Sequence, residues 1–286
     1  MIGCPYNFAQ PGNAPFCNVQ PDPPAQKDGL PRSFGSINRR PMILFRKVQR
    51  MPTVIDLTCP FDMDHSVPQY PTIAADIKLG FKYTLARDGR YCGEFHLFAH
   101  AGTHVDAPRH IFAEGATLDQ ISLDCFYGEA ICLDMPHGEL GEITAADLER
   151  AGSDVQRGDI VFIHTGWGRY YVDEPKDSYY LAYRQPGLVK DAAEWLVERG
   201  VKAVGIDAFA IRHPAFSPAL DVEARKAGAP RPVEPVHDIL LSNNVVIVEQ
   251  LINLDRLAGK RAQVSFFPLS LVGFDGSPVR ALAFLP

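Results

Sequence analysis

Four short runs govern what this chain can fold into: "EAICLDM" from Glu129, "DIVFIHT" from Asp159, "VKAVGID" from Val201 and "NVVIVEQ" from Asn244. Each is apolar and rich in β-branched residues, which marks a strand, and the last two read as strands buried in the interior. Helix patterns lie between them. "TAADLERAG" predicts a short helix with Thr144 as its N-cap. "GLVKDAAEWLVERG" places Leu188, Ala192, Trp195 and Leu196 at helical spacing, and Gly200 ends it. Strands and helices intermix, so the class is α/β. "TVIDLT" adds a short strand. "RYCGEFHLFAH" alternates Phe95, Leu97 and Ala99 against His96, Phe98 and His100. "VSFFPLSLVGFDGSPVRALAFL" reads as a hairpin with Asp275-Gly276 in its turn.

The first fifty residues differ in kind. They are rich in Pro, Asn and Gln and carry no apolar period, so residues 1–50 are expected to be a flexible extension of a domain spanning 51–286. They hold seven Lys/Arg against two Asp/Glu, about +5, which leaves about −11 for the rest of a chain of net charge −6. No apolar stretch of a secretory signal is present, and Met51 is a candidate alternative start. A second irregular stretch, His213 to Pro235, contains five prolines and reads as a loop or lid. An acidic balance argues against nucleic acid as a partner, because phosphate contacts need clustered Lys and Arg. No run approaches the ~18 apolar residues that span a bilayer. The six cysteines have no CxxC spacing and read as reduced thiols of a cytoplasmic protein.

The stretch "HAGTHVDAPRH", His100 to His110, spends three of the nine histidines in eleven positions. Gly102 allows a backbone conformation closed to other residues. His104 and Asp106 are two apart, so on an extended segment they leave the same face. Pro108 stops strand pairing and carries the chain to His110. Two imidazoles and a carboxylate thus converge, with a third imidazole nearby. These donors suit Zn²⁺ or Mn²⁺, and three close ligands leave room for water and substrate.

The same residues resemble the signature HxGTHxDxPxH of the cyclase-like metal hydrolases, which include bacterial kynurenine formamidase and isatin hydrolase. His100, Gly102, Thr103, His104, Asp106, Pro108 and His110 all match it, and the likeness runs from about Val54 to the C-terminus. It implies an α/β fold with a mixed, partly barrel-like β-sheet and packed helices, assembled as a homodimer or higher homo-oligomer. It implies two further ligands, a histidine and a glutamate twelve residues on, here His237 and Glu249. A strand that enters a helix is matched by Val245 to Leu254. A substrate-facing aromatic is matched by Tyr70 in "VPQYPT", where the family has Trp. One or two divalent metals per subunit are implied, with Asp106 able to bridge two.

The expected activity is hydrolysis of a small amide, an aryl formamide or a cyclic amide such as isatin, with His110 as acid and base because imidazole titrates near neutrality. A lyase, a ring-closing cyclase and a catalytically idle metal-binding protein are the alternatives. Other candidates are weaker. "HTGWGRYY" lacks the third glycine of a dinucleotide loop, and no P-loop, GxSxG or HExxH is present. His164 reads as a pocket or packing residue, Asp207 as a residue that could face the pocket, and Arg212 and His213 as solvated loop residues.

Overall fold

A computed structural model describes residues 52–61, 77–216 and 234–286. The strands are β1 (Thr53–Asp56), β2 (Lys78–Tyr83), β3 (Cys92–His96), β4 (His104–Asp106), β5 (Tyr127–Asp134), β6 (Glu142–Ile143), β7 (Ile160–His164), β8 (Gly187–Leu188), β9 (Ala203–Ile206), β10 (Val246–Glu249), β11 (Arg261–Ser265), β12 (Gly276–Pro278) and β13 (Leu282–Leu285). The longest helices are α1 (Ala145–Ala151), α2 (Lys190–Arg199) and α3 (Pro235–Ser242).

Among the described residues, nine strands form one sheet in the order β1-β13-β11-β5-β7-β9-β10-β4-β12. Its centre, β5-β7-β9-β10, is parallel, and both wings are antiparallel. β7, β9, β10 and residues 130–133 of β5 are buried on both faces, which is why their sequences read as apolar runs. Ile163, Ile206 and Ile247 pack on one side with Leu196 of α2 and Leu240 of α3. Phe162, Val246 and Val248 pack on the other with Ile55, Val105, Val264 and Ala283. Those last four come from both wings, so the sheet curls round this second core and is partly barrel-like. The expected mixed α/β architecture is the one observed.

Thr144 caps α1 as expected, in a reciprocal box: Asp147 N donates to its Oγ1, and its own N–H donates to the Asp147 carboxylate. Gly200 ends α2 at φ +70°. Four expectations are corrected. Leu188 belongs to β8 and not to α2, since Val189 is the extended N-cap. β3 stops at His96, short of Leu97 to His100, and pairs with β2 in a separate two-stranded sheet where Phe95 is 69% exposed. Asp275-Gly276 is not a hairpin turn: β11 pairs with β13, and the intervening chain leaves the pair so that β12 can join β4. Beyond β10 the chain makes a 3-10 turn at Leu254–Arg256 and no longer helix, after Gln250 and Asn253 adopt positive φ. No described helix is long and apolar enough to cross a membrane. Among the described cysteines none is bridged, and burial pushes the Cys59 thiol up to about 12.

Candidate metal centre

β4 lies between β10 and β12, and its register sets the site. His104 stands opposite Glu249, and Asp106 stands opposite both Ile247 and Gly276. Val105 enters the curled core, so the period of two turns His104 and Asp106 to the helical side, where α3 brings His237. His104, Asp106, His237 and Glu249 are all buried. Gly102, at φ +58°, turns the chain from His100 into β4. Pro108 ends the strand as expected, and Pro108–His110 forms a 3-10 turn directly after it.

Asp106 is central. Its Oδ1 lies 2.6 Å from His100 Nδ1 and 3.4 Å from His104 Nε2, and its Oδ2 lies 3.6 Å from His237 Nε2. Glu249 Oε1 lies 3.3 Å from His237 Nε2, and its Oε2 lies 3.6 Å from His104 Nε2. His104 Nδ1 is 2.7 Å from the carbonyl oxygen of Gly102. A carbonyl only accepts, so Nδ1 carries a proton, and Nε2 is the ring nitrogen that faces the two carboxylates. Two carboxylates converging on that nitrogen call for positive charge among them, from a metal ion or from protons on the imidazoles. The 3.3–3.6 Å separations are too long for good hydrogen bonds. They suit donors sharing one ion, since ligands about 2.0–2.2 Å from zinc lie roughly 3.0–3.6 Å apart. His100, His104 and Asp106 form one group able to hold a metal ion, and Asp106, His237 and Glu249 form another. The residues therefore fit a divalent cation, and Asp106 is common to both groups.

The electrostatics follow from this crowding. Burial opposes the Asp106 charge, yet the His100 and His110 imidazoles hold its carboxyl well below the usual range. Burial also opposes charge on His237, but contact with Asp106 and Glu249 outweighs it and raises the pKa to about 9. For His100, burial is outweighed by Asp106 and Asp275, and the pKa rises to about 10.

His110 stands at the solvent side, its ring centroid 4.0 Å from that of His100 and 6.1 Å from that of His237. Asp275 was not anticipated as a site residue. Its Oδ2 lies 2.8 Å from His100 Nε2 and 3.4 Å from His110 Nδ1. Gly276 beside it has a use: a Cβ there would meet His100 Cε1 at 2.5 Å. The Asp-Gly pair carried a turn signal that hid this role. Tyr70 lies outside the described residues, as do positions 1–50 and most of the 213–235 stretch.

The remaining candidates are structural. Asp207 does not face the cluster. It accepts hydrogen bonds from Thr165 N, Thr165 Oγ1 and Gly166 N, fixing the turn after β7. His164 Nδ1 pairs with Asp134 at 2.8 Å. Arg212 and His213 are buried and not solvated: Arg212 pairs with Glu234, and His213 Nε2 donates to Leu140 O.

Fold and site together define an α/β protein with a buried imidazole–carboxylate centre suited to divalent metal. The chain belongs to the family described as Putative cyclase, whose profile matches residues 55–213, more than half of it. The matched span holds His100, His104, Asp106 and His110, while His237 and Glu249 lie beyond it. A kynurenine formamidase of Erythrobacter litoralis is 28% identical over 218 residues, 75% of this chain and 88% of that protein. A kynurenine formamidase of Salinibacter ruber is 30% identical over 197 residues, 66% of this chain and 78% of that protein. Isatin hydrolase A from Ralstonia solanacearum has a similar structure, with a TM-score of 0.67 at 25% identity, covering 82% of this chain and 92% of that one.

Proposed function

We propose that this chain is a metal-dependent hydrolase of a small amide, an aryl formamide or a cyclic amide such as isatin. One observation carries the reading: the Nε2 atoms of His104 and His237 and the carboxylates of Asp106 and Glu249 converge at 3.3–3.6 Å, the spacing of donors around one ion. His100, His104 and Asp106 would hold one ion, and Asp106, His237 and Glu249 a second. Zinc and manganese both suit nitrogen and carboxylate donors. A cation bound there makes water a usable nucleophile near neutral pH and polarises a carbonyl oxygen. His110, at the open side, takes the proton from the attacking water and returns it to the leaving nitrogen. Asp275 Oδ2, 3.4 Å from His110 Nδ1, would favour the tautomer whose Nε2 is free to accept that proton. The names of the relatives support amides of these two kinds, and Tyr70 remains the proposed aromatic contact to substrate.

The test is a hydrolysis screen of metal-loaded protein against N-formylkynurenine, isatin, simple lactams and lactones. Turnover of an amide that disappears with chelator and returns with Zn²⁺ or Mn²⁺ is the expected result. Metal-loaded protein that opens only lactones would overturn the amide assignment.

A further inference from the structure

Gln185, between the six-residue helix Ser178–Tyr183 and β8, is 1% exposed and makes three hydrogen bonds to one short segment. Its Oε1 accepts from Ala210 N at 2.8 Å, and its Nε2 donates to Ala210 O and Arg212 O, each at 3.1 Å. A backbone N–H only donates and a carbonyl only accepts, so the amide has a single workable orientation. Between those anchors lies Ile211, whose N–H donates to Glu249 Oε1 at 2.7 Å. Leu188 reinforces the clamp, donating to Ile211 O at 2.8 Å and accepting from His213 N at 3.0 Å. The two segments run so close that a Cβ on Gly187 would meet Arg212 O at 2.4 Å. Arg212 in turn pairs with Glu234 at 3.1 Å, and Glu234 lies 3.5 Å from His237 Nδ1.

We propose that Gln185 is a positioning residue for Glu249, acting through the 210–212 backbone. It does not touch that side chain. It fixes the direction of the Ile211 N–H that holds one Glu249 oxygen, and so turns the other oxygen toward His104. Outer contacts of this kind are worth about 10–100-fold in metal affinity. The inference rests on the reading of Glu249 as a metal ligand.

The test compares the full chain with Gln185→Met, which keeps the volume and loses the hydrogen bonds, and Gln185→Asn, which keeps the amide one methylene short. Apo protein is titrated with Zn²⁺ and with Mn²⁺, hydrogen exchange is followed at the Ile211 amide, and the Tm of the apo form is measured. The expected result is metal affinity weakened about 10–100-fold in Gln185→Met, a smaller loss in Gln185→Asn, and faster exchange at Ile211 in both. A lowered Tm with unchanged metal affinity and unchanged Ile211 exchange would reduce Gln185 to packing and overturn the proposal. If the unsubstituted chain takes up no metal, the metal-centre reading falls. Exchange at Ile211 then decides the positioning role separately: faster exchange upholds the Gln185–Ile211–Glu249 chain, and unchanged exchange removes it. Should Gln185→Met fail to fold, Gln185→Asn carries the same comparison.

Discussion

His104 and His110 are six positions apart, yet they stand in different surroundings. His104 is buried opposite Glu249, while His110 faces solvent. Replacing His104 or Asp106 with Ala is expected to strip the metal. His110→Ala is expected to retain it while turnover falls about 10²- to 10⁴-fold, the usual worth of a general acid–base group. Metal content and kcat measured on the same preparations separate the two outcomes. Metal-free His110→Ala protein would make His110 a ligand, and a fully active variant would remove it from the mechanism. The charge state of the centre gives a second expectation. With His237 raised to about 9 and His100 to about 10, both imidazoles carry a proton at pH 7 in the metal-free protein. Ligation requires the lone pair, so metal binding should release protons and weaken as pH falls. Calorimetry in buffers of different ionisation heat measures the release. Binding without it would exclude these two imidazoles as ligands.

At the scale of elements, α1 offers a clean test of local capping, remote from the site. The Thr144 box satisfies two backbone donors at a surface helix end. Thr144→Ala is expected to cost about 1 kcal/mol in denaturant unfolding. Hydrogen bonds from the Thr144 side chain and backbone hold the Asp147 carboxyl at about 2, below its ordinary 3.8. A depressed folded pKa contributes stability that is present above 3.8 and lost as pH falls toward about 2. The variant should therefore show a shallower loss of stability across that window. An unchanged pH profile would mean that the box contributes nothing in solution.

At the scale of the whole molecule, both cores and every proposed site residue except Tyr70 lie in residues 52–61, 77–216 and 234–286. We therefore expect a chain beginning at Met51 to keep the Tm and activity of the full chain. Sedimentation should show both as the same homodimer or higher homo-oligomer, a proposal supported by exposed Phe81, Tyr91 and Phe95 around the β2–β3 hairpin. A truncated chain that is unstable or of lower order would assign the first fifty residues a part in assembly. What the sequence determined by itself is local or periodic. Central strands covered on both faces must be apolar throughout, so "DIVFIHT" and "NVVIVEQ" announced β7 and β10. A period of two put His104 and Asp106 on one face, and Thr144 and Gly200 marked their helix ends. Tertiary structure decided the rest. Asp275 reaches His100 across 175 positions, and Gln185 reaches Ala210 across 25, so neither pairing has a spacing to read. Asp275-Gly276 looked like a turn because the same two residues serve a turn or the start of β12, and only pairing with β4 chooses between them. Arg212 and His213 looked like solvated loop residues for the same reason. Charge favours water in a lone segment, and only the folded partners Glu234 and Leu140 O replace that water and let the residues be buried.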